Sequence, residues 1–306
     1  MVPFIKMRMI IIYFNNKINK IVNMRIIYFF VLLLFQSAAF SICEKAVDSS
    51  KIVIAGGSLT EIVYFLEEEE KISGVDVTSN YPSETRNLPS IGYVRALSTE
   101  GILSLKPSLI LGEDDMGPPL VIDQLKLTGL DLRIIDEVPT ANGILDKIEC
   151  ISSILHGVNE EKNNQIELVK SDIKNLNKIA SLNKENGIKV MLILNMQGTS
   201  PVVAGSGTSG DGFIKMTGAK NAATSFEGWK PINSESIISY DPDYIIITKR
   251  GMSSFSDIES LANTTALKFT QAAQNGNIIS EDGMAMLGFG VRTISTALKF
   301  AEIFDK

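Results

Sequence analysis

One histidine, His156, and two cysteines, Cys43 and Cys150, are all that this chain of 306 residues offers of those types. Zinc and manganese sites gather several imidazole or carboxylate ligands in one place, and a lone histidine cannot supply that set. A serine or cysteine protease triad also needs a well-placed histidine. His156-Gly157 instead reads as the end of a helix, where an imidazolium meets the negative end of the helix dipole. Cys43 and Cys150 can pair in an oxidising compartment but do not make a disulfide scaffold. Neither G-x-G-x-x-G nor a P-loop is present, so Gly56-Gly57 reads as a tight turn between strand and helix rather than a phosphate cradle. There is no tandem repeat of 20–50 residues and no low-complexity linker. Beyond residue 41 no apolar run is long enough to span a bilayer.

What is present at the N-terminus is an export signal. Met24-Arg25 is followed by an unbroken apolar run from Ile26 to Phe35 and by small residues at Ser37, Ala38, Ala39 and Ser41. That is the plan of a Sec-type signal peptide over residues 1–41, cleaved after Ser41, and it implies a periplasmic location. The start codon is open between Met1 and Met24, and an uncleaved anchor helix fits the same residues. Ile42 stands where a lipoprotein signal needs a small residue, which argues against a lipid on Cys43. The leader holds five basic residues and no acidic one, which leaves 24 basic against 35 acidic residues beyond it. Such an acidic chain is a poor partner for nucleic acid or anionic membrane surfaces.

Patterning predicts two α/β lobes. Lys51 to Gly57 is a buried strand ending in glycines, and Ser58 with Glu61 three residues on reads as a capped helix start. Strands at 72–75, 109–111 and 132–135 alternate with helices at 120–127 and 144–155, the order of a mostly parallel sheet covered on both faces. Glu67 to Glu70 is a solvated helix end. Between Asn159 and Glu185, apolar residues at Ile166, Val169, Ile173, Leu176, Ile179 and Leu182 describe one long amphipathic helix stopped near Gly187. A second α/β set follows, with strands from Lys189 to Leu194 and Tyr244 to Thr248 and a last helix from Val291 to Phe304. The expected division is 50–158 for the first lobe, 159–186 for the linking helix and 187–306 for the second lobe.

The richest stretch is Gly92-Tyr93-Val94-Arg95-Ala96-Leu97-Ser98, followed by Glu100 to Pro107. In extended backbone, residues two apart share a side, so the phenol of Tyr93 stands beside the guanidinium of Arg95. A neighbouring cation favours phenolate, a hard oxygen ligand for ferric iron. In Leu287-Gly288-Phe289-Gly290-Val291-Arg292-Thr293, Phe289 offers a flat aromatic face and Arg292 a bidentate grip on a carboxylate. Thr208 or Ser209, in the glycine-rich loop 204–210, reads as the cap of a helix running towards Met216, whose first backbone amides suit an anion. Arg250 follows a strand, at the sheet end where ligands gather in doubly wound folds. Trp229, Met284 and Met286 read as cleft or core.

The blocks Ile54–Leu66, Gly92–Pro107, Ala204–Asn221 and Leu287–Thr293 resemble, in order and approximate spacing, the haemin-binding proteins of bacterial haem ABC importers. These are helical-strut periplasmic binding proteins of the cobalamin and siderophore type. The resemblance implies a class III fold: α/β, two doubly wound lobes joined by one long α-helix, with small lobe movements. It implies haem as a transported ligand and no catalysis, with Tyr93 on the iron and Arg95, Arg292, Phe289, Arg250 and Thr208 around the macrocycle. It also implies that one surface glutamate per lobe, Glu61 and Glu235, docks on an ABC permease dimer. A ferric siderophore or a corrinoid is the alternative ligand. An enzyme on a two-lobed frame, as in nitrogenase-like proteins, would need a ligand set that two cysteines and one histidine do not readily provide.

Overall fold

A computed structural model describes residues 42–157, 163–197 and 200–305. The expected signal peptide and the expected boundary at residue 159 lie outside the described residues. The first lobe runs β1 (Ile52–Ala55), α1 (Gly57–Phe65), β2 (Ile72–Val75), α2 (Thr99–Ser104), β3 (Leu109–Glu113), α3 (Pro119–Leu127), β4 (Asp131–Ile135) and α4 (Ala141–His156). Its four strands lie in the order β2-β1-β3-β4, all parallel. β1 is Ile-Val-Ile-Ala with every residue buried, as a central strand with helices on both faces requires.

Helix α5 (Asn163–Asn186) leads into the second lobe. That lobe begins with β5 (Lys189–Gln197), β6 (Ser200–Ala204), α6 (Ser209–Met216), β7 (Lys220–Asn221), β8 (Trp229–Pro231) and α7 (Ser234–Tyr240). It continues through β9 (Tyr244–Thr248), α8 (Lys249–Met252), α9 (Ile258–Ala262), α10 (Gln271–Gln274), β10 (Ile278–Glu281), α11 (Gly283–Leu287) and α12 (Val291–Phe304). Strand order is β10-β9-β5-β6-β8, with β7 also paired to β5. The second sheet is mixed, parallel through β10, β9, β5 and β7, with an antiparallel edge where β6 runs against β5 and β8 against β6.

One hydrophobic core passes through both lobes. It joins Ile54 and Leu59 of the first lobe to Ile173 and Leu176 of α5 and to Phe213, Phe300 and Phe304 of the second. The stripe of α5 departs from the sequence reading at its end. Leu182 is 44% exposed, and Asn183 takes the inward place. Its side-chain amide donates to the carbonyls of Thr217, at 3.0 Å, and Ala301, at 2.9 Å. These bonds pin the strut to the end of α6 and to α12, a better anchor than one more leucine. Cys43 and Cys150 are joined in a disulfide that ties the start of the described chain to α4. No described helix is long and apolar enough to cross a membrane.

Candidate functional site

The carboxyl ends of β3 and β4 open on one cavity of about 470 Å³ between the lobes. The first lobe contributes Tyr93, Arg95, Glu113, Asp114, Asp115 and Glu137 to its wall, and the second Gly207, Thr208, Ser209, Met284, Leu287 and Gly288. Its size falls within the range of small-molecule and cofactor sites.

Tyr93 and Arg95 reach the cavity because their loop is held from beneath. Leu97 N–H donates to the Gly117 carbonyl at 2.8 Å, and Gly117 N–H to the Val94 carbonyl at 2.9 Å. Val94 is buried between Tyr93 and Arg95, whose side chains therefore project to the opposite, open side. Tyr93 remains 45% exposed. Arg95 donates from Nε and Nη2 to Asp115 Oδ2, at 2.9 and 2.6 Å. The guanidinium expected beside a phenolate is therefore shared with a carboxylate.

The floor is a polar network that the sequence reading missed. Ser58 does not cap α1; the helix starts at Gly57, with Gly56 before it at φ 150°. The freed Ser58 hydroxyl donates to Glu113 Oε1 at 2.6 Å, and the Ser58 amide donates to the same oxygen at 3.1 Å. A Cβ on Gly56 would lie 2.4 Å from Glu113 Cδ, so glycine makes room for that carboxyl. Lys147, 3% exposed, reaches from α4 to Ser58 Oγ at 3.0 Å, Glu137 Oε2 at 3.2 Å and the Phe289 carbonyl at 3.3 Å. Burial, opposed by Lys147, pushes the Glu113 carboxyl up to about 7, and burial also raises Glu137.

Of the other expected site residues, some line the cavity and some do not. Glu61, 5% exposed, is no surface acid: Arg292 donates to it from Nε at 3.1 Å and from Nη2 at 2.5 Å. Arg292 also meets Asp282 at 3.4 Å and lies over the Tyr81 ring at 3.8 Å, so each of its three nitrogens is engaged within the protein. Phe289 is fully buried and cannot face a macrocycle in this state; its backbone, at φ 47°, presents its carbonyl to Lys147. Thr208 caps α6 by accepting from the Asp211 amide at 3.1 Å, at the cavity edge. Arg250 is exposed in α8 and does not line the cavity. Met284 lines the cavity, whereas Met286 is core. His156 lies 3.2 Å from Glu68, which also pairs with Lys71, so the acidic run is partly engaged.

Glu235 is exposed in the first turn of α7, behind an Asn233 cap. Its structural counterpart in the first lobe is Glu100, exposed in the first turn of α2 behind a Ser98 cap. The two segments repeat each other 135 positions apart. Ile102 and Ile237 are buried, Lys106 and Asp241 both take positive φ, Pro107 and Pro242 follow, and β3 and β9 come next. This repeat, non-tandem and conservative only in pattern, was the signal that a search for tandem units passes over.

A model of the periplasmic binding protein family matches residues 52–283. Among solved structures, the periplasmic haem-binding protein HutB of Vibrio cholerae is 33% identical, with a TM-score of 0.73 over 84% of this chain and 99% of that one. An ABC transporter substrate-binding lipoprotein of Bacillus subtilis, YvrC, is 28% identical over 66% of this chain. The match spans 64% of that relative's length. A vitamin B12-binding protein of Pectobacterium atrosepticum is 24% identical over 84% of this chain and 87% of its own.

Proposed function

Because the chain belongs to the periplasmic binding protein family, we propose that it is an exported protein that captures haem in the cleft between its lobes and delivers it to an ABC importer. The observation that carries this reading is Tyr93, turned outward beside the buried Val94 into a cavity of about 470 Å³. The similarity to a haem-binding protein over nearly its whole length supports the same ligand. Tyr93 supplies the oxygen for the ferric iron of the cargo, and Arg95, anchored on Asp115, supplies positive charge beside it. Thr208 and Ser209 border the other wall. The reading assigns the protein no chemistry of its own. The Cys43–Cys150 disulfide supports the reading that Cys43 carries no lipid.

Glu235 and Glu100 are the docking acids of this proposal, one on each lobe, in place of the buried Glu61. Their helices are equivalent, so a permease dimer would meet the same local structure twice.

Titration with haemin, followed by visible absorption, tests the ligand. A high-spin ferric spectrum with a tyrosinate charge-transfer band is expected, lost in Tyr93→Phe, which removes only the oxygen. Binding of cobalamin in preference to haemin, with Tyr93→Phe indifferent, would move the assignment to the corrinoid suggested by the more distant relative.

A further inference from the structure

The cavity wall holds an excess of one charge. Glu113, Asp114, Asp115 and Glu137 all face it, and the only cation among its lining residues is Arg95, already bound to Asp115. The second lobe's part of the wall carries no ionisable side chain. A ligand with two carboxylates thus enters a negative cleft, and its arrival also displaces water from the floor. Both effects favour the neutral form of whichever carboxyl there lacks a cation in contact.

The contacts single out that carboxyl. Asp115 has Arg95, and Glu137 has Lys147. Asp114 is exposed to water and accepts from the Glu137 amide. Asp76, behind the Gly56 turn, is bonded to Gly56, Thr78 and Ser79, and Glu61 on α1 is held by Arg292. Among the described residues, Glu113 has no cation within ion-pair distance. Lys147 reaches it only through the Ser58 hydroxyl, which accepts from Nζ and donates to Oε1. Oε2 of Glu113 has no protein hydrogen bond among the described residues, which leaves it free to carry a proton and to donate.

We propose that the cleft takes up its ligand, which carries two carboxylates, together with one proton, held on Glu113. Glu113 then acts as a specificity-determining residue: protonated, it offers a donor where an ionised carboxylate would repel a propionate. This rests on the haem reading above. Burial has already brought its titration to about 7, so the proton is available near neutral pH.

The test compares haemin affinity of the wild type and Glu113→Gln from pH 6 to 9. Titrations of Tyr93 and of haemin itself are common to both proteins and cancel in the ratio. Wild-type affinity should fall relative to the variant above neutral pH, by up to about tenfold per pH unit, because one proton must be taken up. A ratio independent of pH overturns the proposal while leaving haem as the ligand. A wild type that does not bind haemin overturns the haem reading and this proposal with it. A second measurement needs no variant. Infrared difference spectra of wild-type protein carrying carbon-13 glutamate should gain a protonated glutamate carboxyl band on haemin binding at pH 7.5. Absence of that band also refutes the proposal.

Discussion

Glu61 and Arg292 stand 231 positions apart in the chain and meet in a bidentate pair that joins α1 of the first lobe to α12 of the second. Arg292 is further held by Asp282 and by the face of Tyr81, so one guanidinium binds groups from both lobes. Removing it strands a buried carboxyl whose titration burial already raises despite the arginine. Arg292→Ala should therefore destabilise the fold by about 3 kcal/mol in denaturant titrations at neutral pH, the range for breaking a buried pair. The loss should shrink at acid pH, where Glu61 protonates without its partner. An equal loss at pH 4.5 and pH 7.5 would show that lost packing, not charge, dominates.

Glu113 gives the ligand-free protein a stability that runs opposite to the usual acid denaturation. A carboxyl whose folded value is raised binds its proton more tightly in the folded state. Its contribution is full below the ordinary value of 4.5 and disappears as pH rises through about 7. Over that window it removes about 3 kcal/mol, or several degrees of melting temperature for a chain of this size. Glu113→Gln should flatten this part of the profile. Thermal melts at half-unit pH steps will read it, and a variant profile parallel to the wild type would refute the assignment.

Periodicity made the architecture legible. β1, β3 and β9 are short apolar runs ending at turn residues, and the strut shows spacings of three and four over most of its length. What patterning could not reach was pairing between distant positions. Glu61 at a helix start looks the same whether it faces water or Arg292, and both placements satisfy the helix dipole. Phe289 sits in a glycine-flanked loop that reads as loose and apolar, yet its ring packs into the core shared by both lobes, and its carbonyl, at positive φ, accepts from Lys147 on α4. Lys147 itself is one lysine in a helix, and nothing local marks it as buried. The Tyr93 loop fared better because its alternation, outward at 93 and 95 and inward at 94 and 97, is set by neighbours in sequence.

Arg95 was expected to favour phenolate at Tyr93 as a free cation, but its ion pair with Asp115 shares that charge. Arg95→Ala leaves Asp115 facing the cavity alone and should shift haemin loading towards higher pH. Asp115→Asn should do the reverse, releasing Arg95 to the phenol and extending loading to lower pH. Opposite shifts in the pH midpoint, read from the tyrosinate band, are the expected outcome. Shifts of the same sign in both variants would remove the pair from control of the ligand.

Glu100 and Glu235 bear on delivery rather than capture. Each lies in the first turn of a short helix capped by Ser98 or Asn233, and each is exposed. A first-turn acid is favoured by the helix dipole alone, by about 0.3–1 kcal/mol, so position by itself does not prove a partner. The repeat adds the second consideration: two lobes of different topology keep a side-chain cap, a glutamate, a buried isoleucine and a proline at matching places. Neither residue lines the cavity, so substitution should leave haemin affinity unchanged. Glu100→Ala with Glu235→Ala should block haem delivery to the importer reconstituted in liposomes, and either change alone should slow it. Low salt should partly restore the single variants, since exposed charges attract over longer distances when screening is weak. Glu61→Ala serves as the contrast: it should lower stability without a defect specific to delivery. Normal transport by the double variant would refute docking and leave both glutamates as helix-start acids.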